Sequence, residues 1–406
     1  MSKQRKIKDF LRKLATYTAS SMSIIILLMI FAFVISQGKN ALSLDMIKND
    51  YWSKNYLISV EKESQKTFRN DQSLNNSQAF SERYGIILED TINHEKEKRV
   101  EVVFIDDNSP FKKGKSLTAG SENQNIALSK TDLIEKMVVI NEENQEEKVG
   151  MVYSDTAAEV VEVLDNSIAV ESLYFKTAGG GIWGSLIATL KLIAISLLIS
   201  LPLGIFTAIY LNEIVNKNKI ANAIEYSIEL LAGVPSIVFG LMGVIVLYPI
   251  TTLFNIDGLS ILLGGLTMSI ILLPVVIRST QESLKTVPKG LRMASLSLGA
   301  NDSQTIFKVV LPSAIKGILS GLLLATSRII GESAALIYTM GTFINDSPQI
   351  GDKATTLAVH IWTIMNQEQP NFELASAISI IILVMVLILN LSVKFVSRRF
   401  DRKLGN

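Results

Sequence analysis

The sequence predicts an α-helical polytopic membrane protein carrying a β-rich soluble insertion between its first and second membrane helices. Three observations carry that prediction. Six stretches are apolar over the roughly 20 residues that a helix needs to cross a hydrocarbon core about 30 Å thick. Lysine and arginine gather in alternate connections between those stretches. The net charge of +1 hides a segregation: residues 39–176 hold 25 acidic and 17 basic residues, a net of −8, whereas the remainder holds 22 basic and 13 acidic, a net of +9. A basic surplus in the apolar part marks a membrane protein rather than a nucleic-acid binder.

Composition narrows the chemistry. Of 406 residues, 48% are hydrophobic, and mean hydropathy is +0.34. The chain has no cysteine, which excludes disulfides, thiolate metal sites and a cysteine nucleophile. His94 and His360 are the two histidines, too few for a histidine-rich metal site.

Residues 1–38 form a basic leader and the first span. Lys3, Arg5, Lys6, Lys8, Arg12 and Lys13 precede the apolar run 19–36. That run exceeds a typical signal-peptide core, and no small-x-small cleavage site follows, so a retained anchor is expected. Residues 39–178 have the composition of a soluble domain. VEVVFI (100–105) reads as a strand, and 137–153 as two β-rich runs around an acidic, Asn-rich turn. Residues 54–76 are polar, and are expected to be helical or partly disordered. SPFKKGKS (109–116) ends like a phosphate-binding P-loop, but Ser109 stands where GxxxxGK[ST] needs its first glycine, and Lys112 and Lys113 crowd the loop; a solvated basic turn is expected.

Residues 179–406 hold five more spans, at 183–211, 224–250, 259–284, 315–342 and 374–395. Connections 217–219 and 285–316 and the tail KFVSRRFDRK are basic, whereas 251–258 has no basic residue and 343–373 only Lys353. Six crossings then leave both termini in the cytoplasm and 39–178 outside. In LAGVPSIVFGL, Pro235 between Gly233 and Ser236 removes a backbone donor and breaks the third span, while Gly233 and Gly240 admit neighbouring backbones; a packing kink and a pore-lining kink both remain open.

The loop 286–312, TVPKGLRMASLSLGANDSQTIFKVVLP, is the most informative connection. Pro288 and Gly290 break the preceding helix, a short amphipathic helix covers 291–298, and Gly299 ends it. Asn301 or Asp302 caps a second short helix that Pro312 closes or redirects. Such a helix is either an ordinary interfacial element or a part shaped to fit a cleft in a partner.

Charges within the membrane zone are the other candidates. Lys191 lies two turns into the second span, where its stem can snorkel outward. Arg278 and Glu282 stand four apart, as a helical pair or as an anion exit. Arg328 and Glu332, also four apart, fall near the middle of 315–342, too deep for easy snorkelling. A guanidinium offers a planar fork of donors suited to tetrahedral oxyanions, and a neighbouring carboxylate keeps such a site from trapping its ligand; a structural interhelical bridge is the competing reading.

Met293-Ala294-Ser295, then Gly299, then Val309-x-Leu311-Pro312 resembles the loop EAA, three residues, Gly, nine residues, Ile-x-Leu-Pro of bacterial ABC importer permeases. Met293 replaces the family's glutamate and Ser295 its second alanine. LAGVPSIVFGL, LPVVIRSTQESLKTVP and SRIIGESAALIYT are similar to the PstA-type permeases of phosphate-specific importers. The resemblance covers 179–406 strongly and the first anchor weakly, and does not obviously extend to the insertion, which is larger than the short loop many such permeases have. It implies the type I ABC importer permease fold, with Leu291, Met293, Ala294, Ser295, Gly299, Leu311 and Pro312 coupling to an ATPase. It implies a PstC-type permease partner, a PstB-type ATPase dimer and a PstS-type phosphate-binding protein, in a bacterial cell membrane. The chain itself is expected to be no enzyme and to bind no cofactor, ATP and Mg being used by the partner ATPase. Sulfate or molybdate is the alternative cargo. A membrane-anchored sensor is the alternative class, which would need a cytoplasmic signalling domain where about ten residues follow Phe395.

Overall fold

A computed structural model describes residues 3–60, 67–69, 73–92, 97–118, 122, 124–215 and 218–404. His94, Lys217 and residues 61–66 and 70–72 of the polar stretch 54–76 lie outside them. The chain divides into two compact units, Asn49–Gly181 and the remainder.

The smaller unit is an antiparallel sheet with one helix. Its strands are β1 (Asn55–Ser59), β2 (Gln78–Ser81), β3 (Ile86–Ile92), β4 (Lys98–Ile105), β5 (Lys115–Ser116), β6 (Leu133–Asn141), β7 (Glu146–Val149) and β8 (Ser167–Lys176), ordered β2-β3-β4-β6-β8-β1-β5 with β7 paired to β6. VEVVFI falls in β4, and 137–153 contains the β6–β7 hairpin. In its turn, Asn144 takes φ +61°, a region asparagine tolerates well, and Asn141 Oδ1 accepts from the N–H groups of Glu143 and Gln145. The strand β1 corrects the expectation for 54–76: NYLIS pairs with both β8 and β5, its Ile58 fully buried. Five residues were too short a run to declare a strand until tertiary pairing stabilised it.

The helix α3 spans Ala157–Asp165. Thr156 and Glu159 make a reciprocal capping box, and Ala157, Val160, Val161 and Leu164 turn one face onto the sheet core with Leu88, Val139 and Phe175. SPFKKGKS forms a 3-10 turn, Pro110–Lys113, with Pro110 and Phe111 buried and Gly114 extended, followed by β5 rather than by a helix. No phosphate cradle of the P-loop kind is built there.

Asp132, 4% exposed, gives this unit a pH dependence. Burial raises its carboxyl to about 6, against the partial opposition of the Ser129 N–H. The folded state therefore holds the proton more tightly than an unfolded chain, whose aspartate titrates near about 3.9. Protonation stabilises the fold, so the contribution is present in acid and is lost as pH rises through about 6. Hydrogen exchange around β6, corrected for intrinsic rate, is expected to be slower at pH 5 than at pH 7 by about 1.3 kcal/mol in opening free energy. Asp132→Asn should flatten that dependence; an unchanged profile would refute the assignment.

The larger unit is helical. It comprises α1 (Lys3–Gly38), α2 (Leu44–Lys48), α4 (Trp183–Ile209), α5 (Lys219–Gly233), α6 (Ser236–Met242), α7 (Tyr248–Thr252), α8 (Ile261–Thr286), α9 (Lys289–Ser297), α10 (Asp302–Thr305), α11 (Leu311–Gly331), α12 (Ala334–Thr339), α13 (Leu357–Met365) and α14 (Phe372–Leu404). Among the described residues, five stretches are long and apolar enough to cross a membrane: Lys8–Gly38, Trp183–Ile214, Ile261–Thr286, Asp302–Gly331 and Phe372–Ser397. A sixth arises if the pair Lys219–Gly233 and Ser236–Thr252, bent by 105°, counts as one. The helix α8 lies at the centre. Its Met268, Leu272 and Val276 pack with Leu192 of α4 and with Ala325 and Ile329 of α11.

Two spans depart from uniform helices. The stretch 224–250 breaks where the motif AGVPS falls, with Val234 and Pro235 both extended because proline cannot donate into α5 and its preceding residue avoids the helical region. The stretch 315–342 is not one helix. It stops at Gly331, passes through an extended Glu332 (φ −77°, ψ 129°) and restarts at Ala334.

Candidate functional site

The loop between α8 and α11 builds a projecting helix. Pro288 adopts φ −56°, ψ 134° and cannot continue α8, so α9 starts afresh at Lys289. Nine residues later Leu298 caps it and Gly299 turns left-handed at φ +85°. Asn301 Oδ1 accepts from the Gln304 N–H at 2.8 Å, Gln304 Oε1 accepts from the Asn301 N–H at 3.1 Å, and α10 follows. A π-helical turn, Ile306–Val310, runs without a break into α11, where Pro312 is the second residue and Leu311 packs on the cluster of Ile306 and Val310.

The helix α9 buries no side chain of its own. Leu291, Met293, Leu296 and Leu298 are exposed, Met293 by 64% and Leu298 by 88%, with Ala294 exposed beside them and Ser295 half-buried. Polar contacts hold it. Ser295 and Thr305 share a hydroxyl hydrogen bond of 2.9 Å. Arg292 turns inward: Nε and Nη2 donate to the Glu213 carboxylate at 3.1 and 2.8 Å, Nη2 also to the Leu284 carbonyl at 2.9 Å, and Nη1 to the Val287 carbonyl at 2.7 Å. Those carbonyls belong to the C-terminal end of α8, where the Leu284 carbonyl also accepts from the Val287 N–H at 3.3 Å. Neither Arg292 nor Glu213 stood out in the sequence. Both are charges beside span ends, but their partnership across 79 residues has no local signature.

The broken helices make a second locus. At Gly240 of α6 an added Cβ would lie 2.8 Å from the Ala335 carbonyl oxygen of α12, so the two fragments touch backbone to backbone. Gly233 has nothing within 4 Å of the same position, contrary to the expectation that it too admits a neighbour. Glu332 Oε1 accepts from the Ala335 N–H at 3.3 Å, a side-chain cap that supports the restart of α12.

That break corrects the Arg328–Glu332 pairing. With no helical turn continuing between them, they do not form a bridge, and among the described residues Arg328 enters no ion pair; its side chain is exposed. Nor does it lie at mid-span. Arg328 stands 17 residues beyond Leu311, about 26 Å along α11 and near the far end of that helix. Arg278 pairs with Glu229 of α5 at 3.2 Å instead of with Glu282. Both partners are more than half or about half exposed, so the pair contributes little stability. It lines a groove of ≈ 250 Å³ with Glu225, Gln281, Glu282 and Lys285. Lys191 Nζ donates to the Pro348 carbonyl at 2.6 Å, which ties α4 to the loop before α13 and fits the snorkelling reading. Arg278 and Glu282 thus share that groove, while Lys191 lies against the Pro348 carbonyl and Glu332 serves the Ala335 N–H.

Residues 200–406 match the family model described as the binding-protein-dependent transport system inner membrane component. The match lies wholly outside Asn49–Gly181. A probable ABC transporter permease protein YqgI of Bacillus subtilis is 35% identical over 242 residues, 56% of this chain and 81% of that protein. The phosphate transport system permease protein PstA 1 of Mycobacterium tuberculosis is 32% identical over 228 residues, 55% of this chain and 72% of that one. A PstA homolog of Mycoplasma pneumoniae is 33% identical over 180 residues, 44% of this chain but 28% of that longer protein. Among solved structures, an inward-facing MetNI methionine ABC transporter chain is 18% identical with a TM-score of 0.43, covering 54% of this chain and 94% of its own.

Proposed function

The chain belongs to the binding-protein-dependent transport system inner membrane component family, and on that premise we propose that it is the PstA-type permease subunit of a phosphate importer. It is a membrane-embedded permease subunit of an ABC importer, and ATP hydrolysis falls to partner ATPase subunits. The sensor alternative falls with that membership. Phosphate as cargo is supported by the likeness to permeases named for phosphate transport in Mycobacterium and Mycoplasma.

The observation that carries the coupling role is α9, a helix with no buried side chain and four exposed large apolar residues. An apolar knob of this kind is favourable only when seated in a partner's groove. In the proposed assembly a PstB-type ATPase dimer, using ATP and Mg, supplies that groove. A PstC-type permease completes the pore, and a PstS-type protein delivers phosphate. Both termini and α9 lie in the cytoplasm, because the basic connections fall on that side. Labelling of a Ser297→Cys thiol, in a chain with no other cysteine, from the cytoplasmic face alone checks this orientation.

On this reading Asn49–Gly181, with a net charge of −9 from 24 acidic and 15 basic residues, sits outside and repels phosphate; its role is docking or structural. Phosphate binding by that unit, detected in the intact chain and lost when it is removed, would overturn this assignment. The cargo is tested by co-purifying the chain with its transport partners and measuring anion-dependent ATP hydrolysis. Phosphate is expected to stimulate it where sulfate and molybdate do not. Stimulation by either of those and not by phosphate would replace the cargo.

A further inference from the structure

We propose that the Arg292–Glu213 pair is the pivot through which movement of α9 reaches α4 and α8, so that Glu213 is a positioning residue for coupling. The inference rests on the reading of α9 as the ATPase-docking helix.

Three elements converge on one guanidinium. Arg292 belongs to α9, Glu213 to the π-helical turn Tyr210–Ile214 that closes α4, and the carbonyls of Leu284 and Val287 to the end of α8. The side chains of Arg292 and Glu213 are 22% and 9% exposed, in contrast to Arg278 and Glu229 at 50% and 64%. The fork-to-carboxylate geometry fixes direction as well as distance, which an ammonium or a single hydrogen bond does not.

The rest of α9 offers no comparable grip. It buries nothing, and among the described residues its other side-chain tie is the hydroxyl contact of Ser295 with Thr305. A push on α9 from a docked partner is therefore received by Arg292 before any packed core. Glu213 receives it in a π-helical turn, a geometry that accommodates an altered register more readily than a regular helix. A second π-helical turn, Ile306–Val310, stands where the loop enters α11. The chain path from the loop into α11 thus contains one deformable turn, and the Arg292 contacts join α9 rigidly to the other, at the end of α4.

The test uses the full importer in proteoliposomes with radiolabelled inorganic phosphate. Glu213→Gln keeps the shape and leaves Arg292 on the α8 carbonyls, removing the charged half of the link to α4. Complex yield should match wild type, while phosphate moved per ATP hydrolysed falls by at least about tenfold. Glu213→Asp, which retains the charge at shorter reach, should fall between the two. A merely structural pair would instead lower yield or thermal stability and leave that ratio unchanged, which would overturn the proposal.

If Glu213→Gln fails to assemble, spin labels on Ser297→Cys and Ile214→Cys in the otherwise native complex decide the matter. Their separation should hold between nucleotide-free and ATP-bound states, because the pair moves α9 and the end of α4 together. A separation that changes by several ångströms overturns the pivot. Wild-type complex that moves no phosphate counts against the permease reading, while the label separation still judges the pivot. Wild-type transport with an equal ratio in Glu213→Gln counts against the pivot alone.

Discussion

Arg328→Gln is expected to slow anion uptake at least about tenfold while the subunit still inserts and assembles. The replacement keeps side-chain length and some hydrogen bonding, so a loss reports the charge. Charge-assisted hydrogen bonds contribute about 1.5–3 kcal/mol each, so losing one to a passing oxyanion slows transport roughly 10- to 150-fold. The competing account makes Arg328 a bridge to Glu332, and predicts instability in the single variant and recovery in Arg328→Gln with Glu332→Gln. The geometry favours the first account: α11 ends between the two residues, and the Glu332 carboxylate serves the Ala335 N–H. Complex yield and phosphate uptake in both singles and the double separate the accounts. Uptake restored in the double variant would reduce Arg328 to a structural role.

Gly299→Asp is expected to uncouple or disassemble the ATPase with little effect on the fold of this chain. The glycine sits at φ +85°, where an L-residue costs about 1–2 kcal/mol, with Asn and Asp tolerated best. An added Cβ meets no atom within 4 Å, so no clash accompanies that strain. The damage comes from the charge. Beside Leu298, an unpaired carboxylate in a docked apolar surface costs about 2–5 kcal/mol. Gly299→Asn isolates the backbone cost and should keep most ATPase association, whereas the aspartate variant should lose at least about tenfold in phosphate-stimulated hydrolysis. Equal behaviour of the two variants would assign the effect to strain, and normal transport in Gly299→Asp would remove this end of α9 from coupling.

These expectations rest on features of unequal legibility. The apolar spans, the α9 helix and its left-handed Gly299 could be read from composition, proline and glycine positions, because each depends on local backbone rules. The break at Pro235 was visible for the same reason. The break at Glu332 was not, since Gly331 is tolerated within helices and the decisive contact is a side-chain cap three residues onward. Spacing of four residues suggested two helical ion pairs. Arg278 instead reaches Glu229, 49 residues away, and Arg328 is separated from Glu332 by the end of a helix. Arg292 and Glu213 escaped notice because a single sequence records no pairing at such a distance. The strand NYLIS was hidden in a polar stretch and took its identity from β8 and β5.

The most direct test of the phosphate-permease account is accumulation of radiolabelled phosphate by proteoliposomes containing this chain with its permease, ATPase and binding-protein partners, supplied with ATP. The account predicts ATP-dependent phosphate accumulation that excess unlabelled phosphate competes away, that excess sulfate or molybdate leaves intact, and that Arg328→Gln slows at least about tenfold at unchanged complex yield. Phosphate accumulation that persists at the wild-type rate without this chain, or the absence of ATP-dependent accumulation by the fully assembled complex, would contradict it.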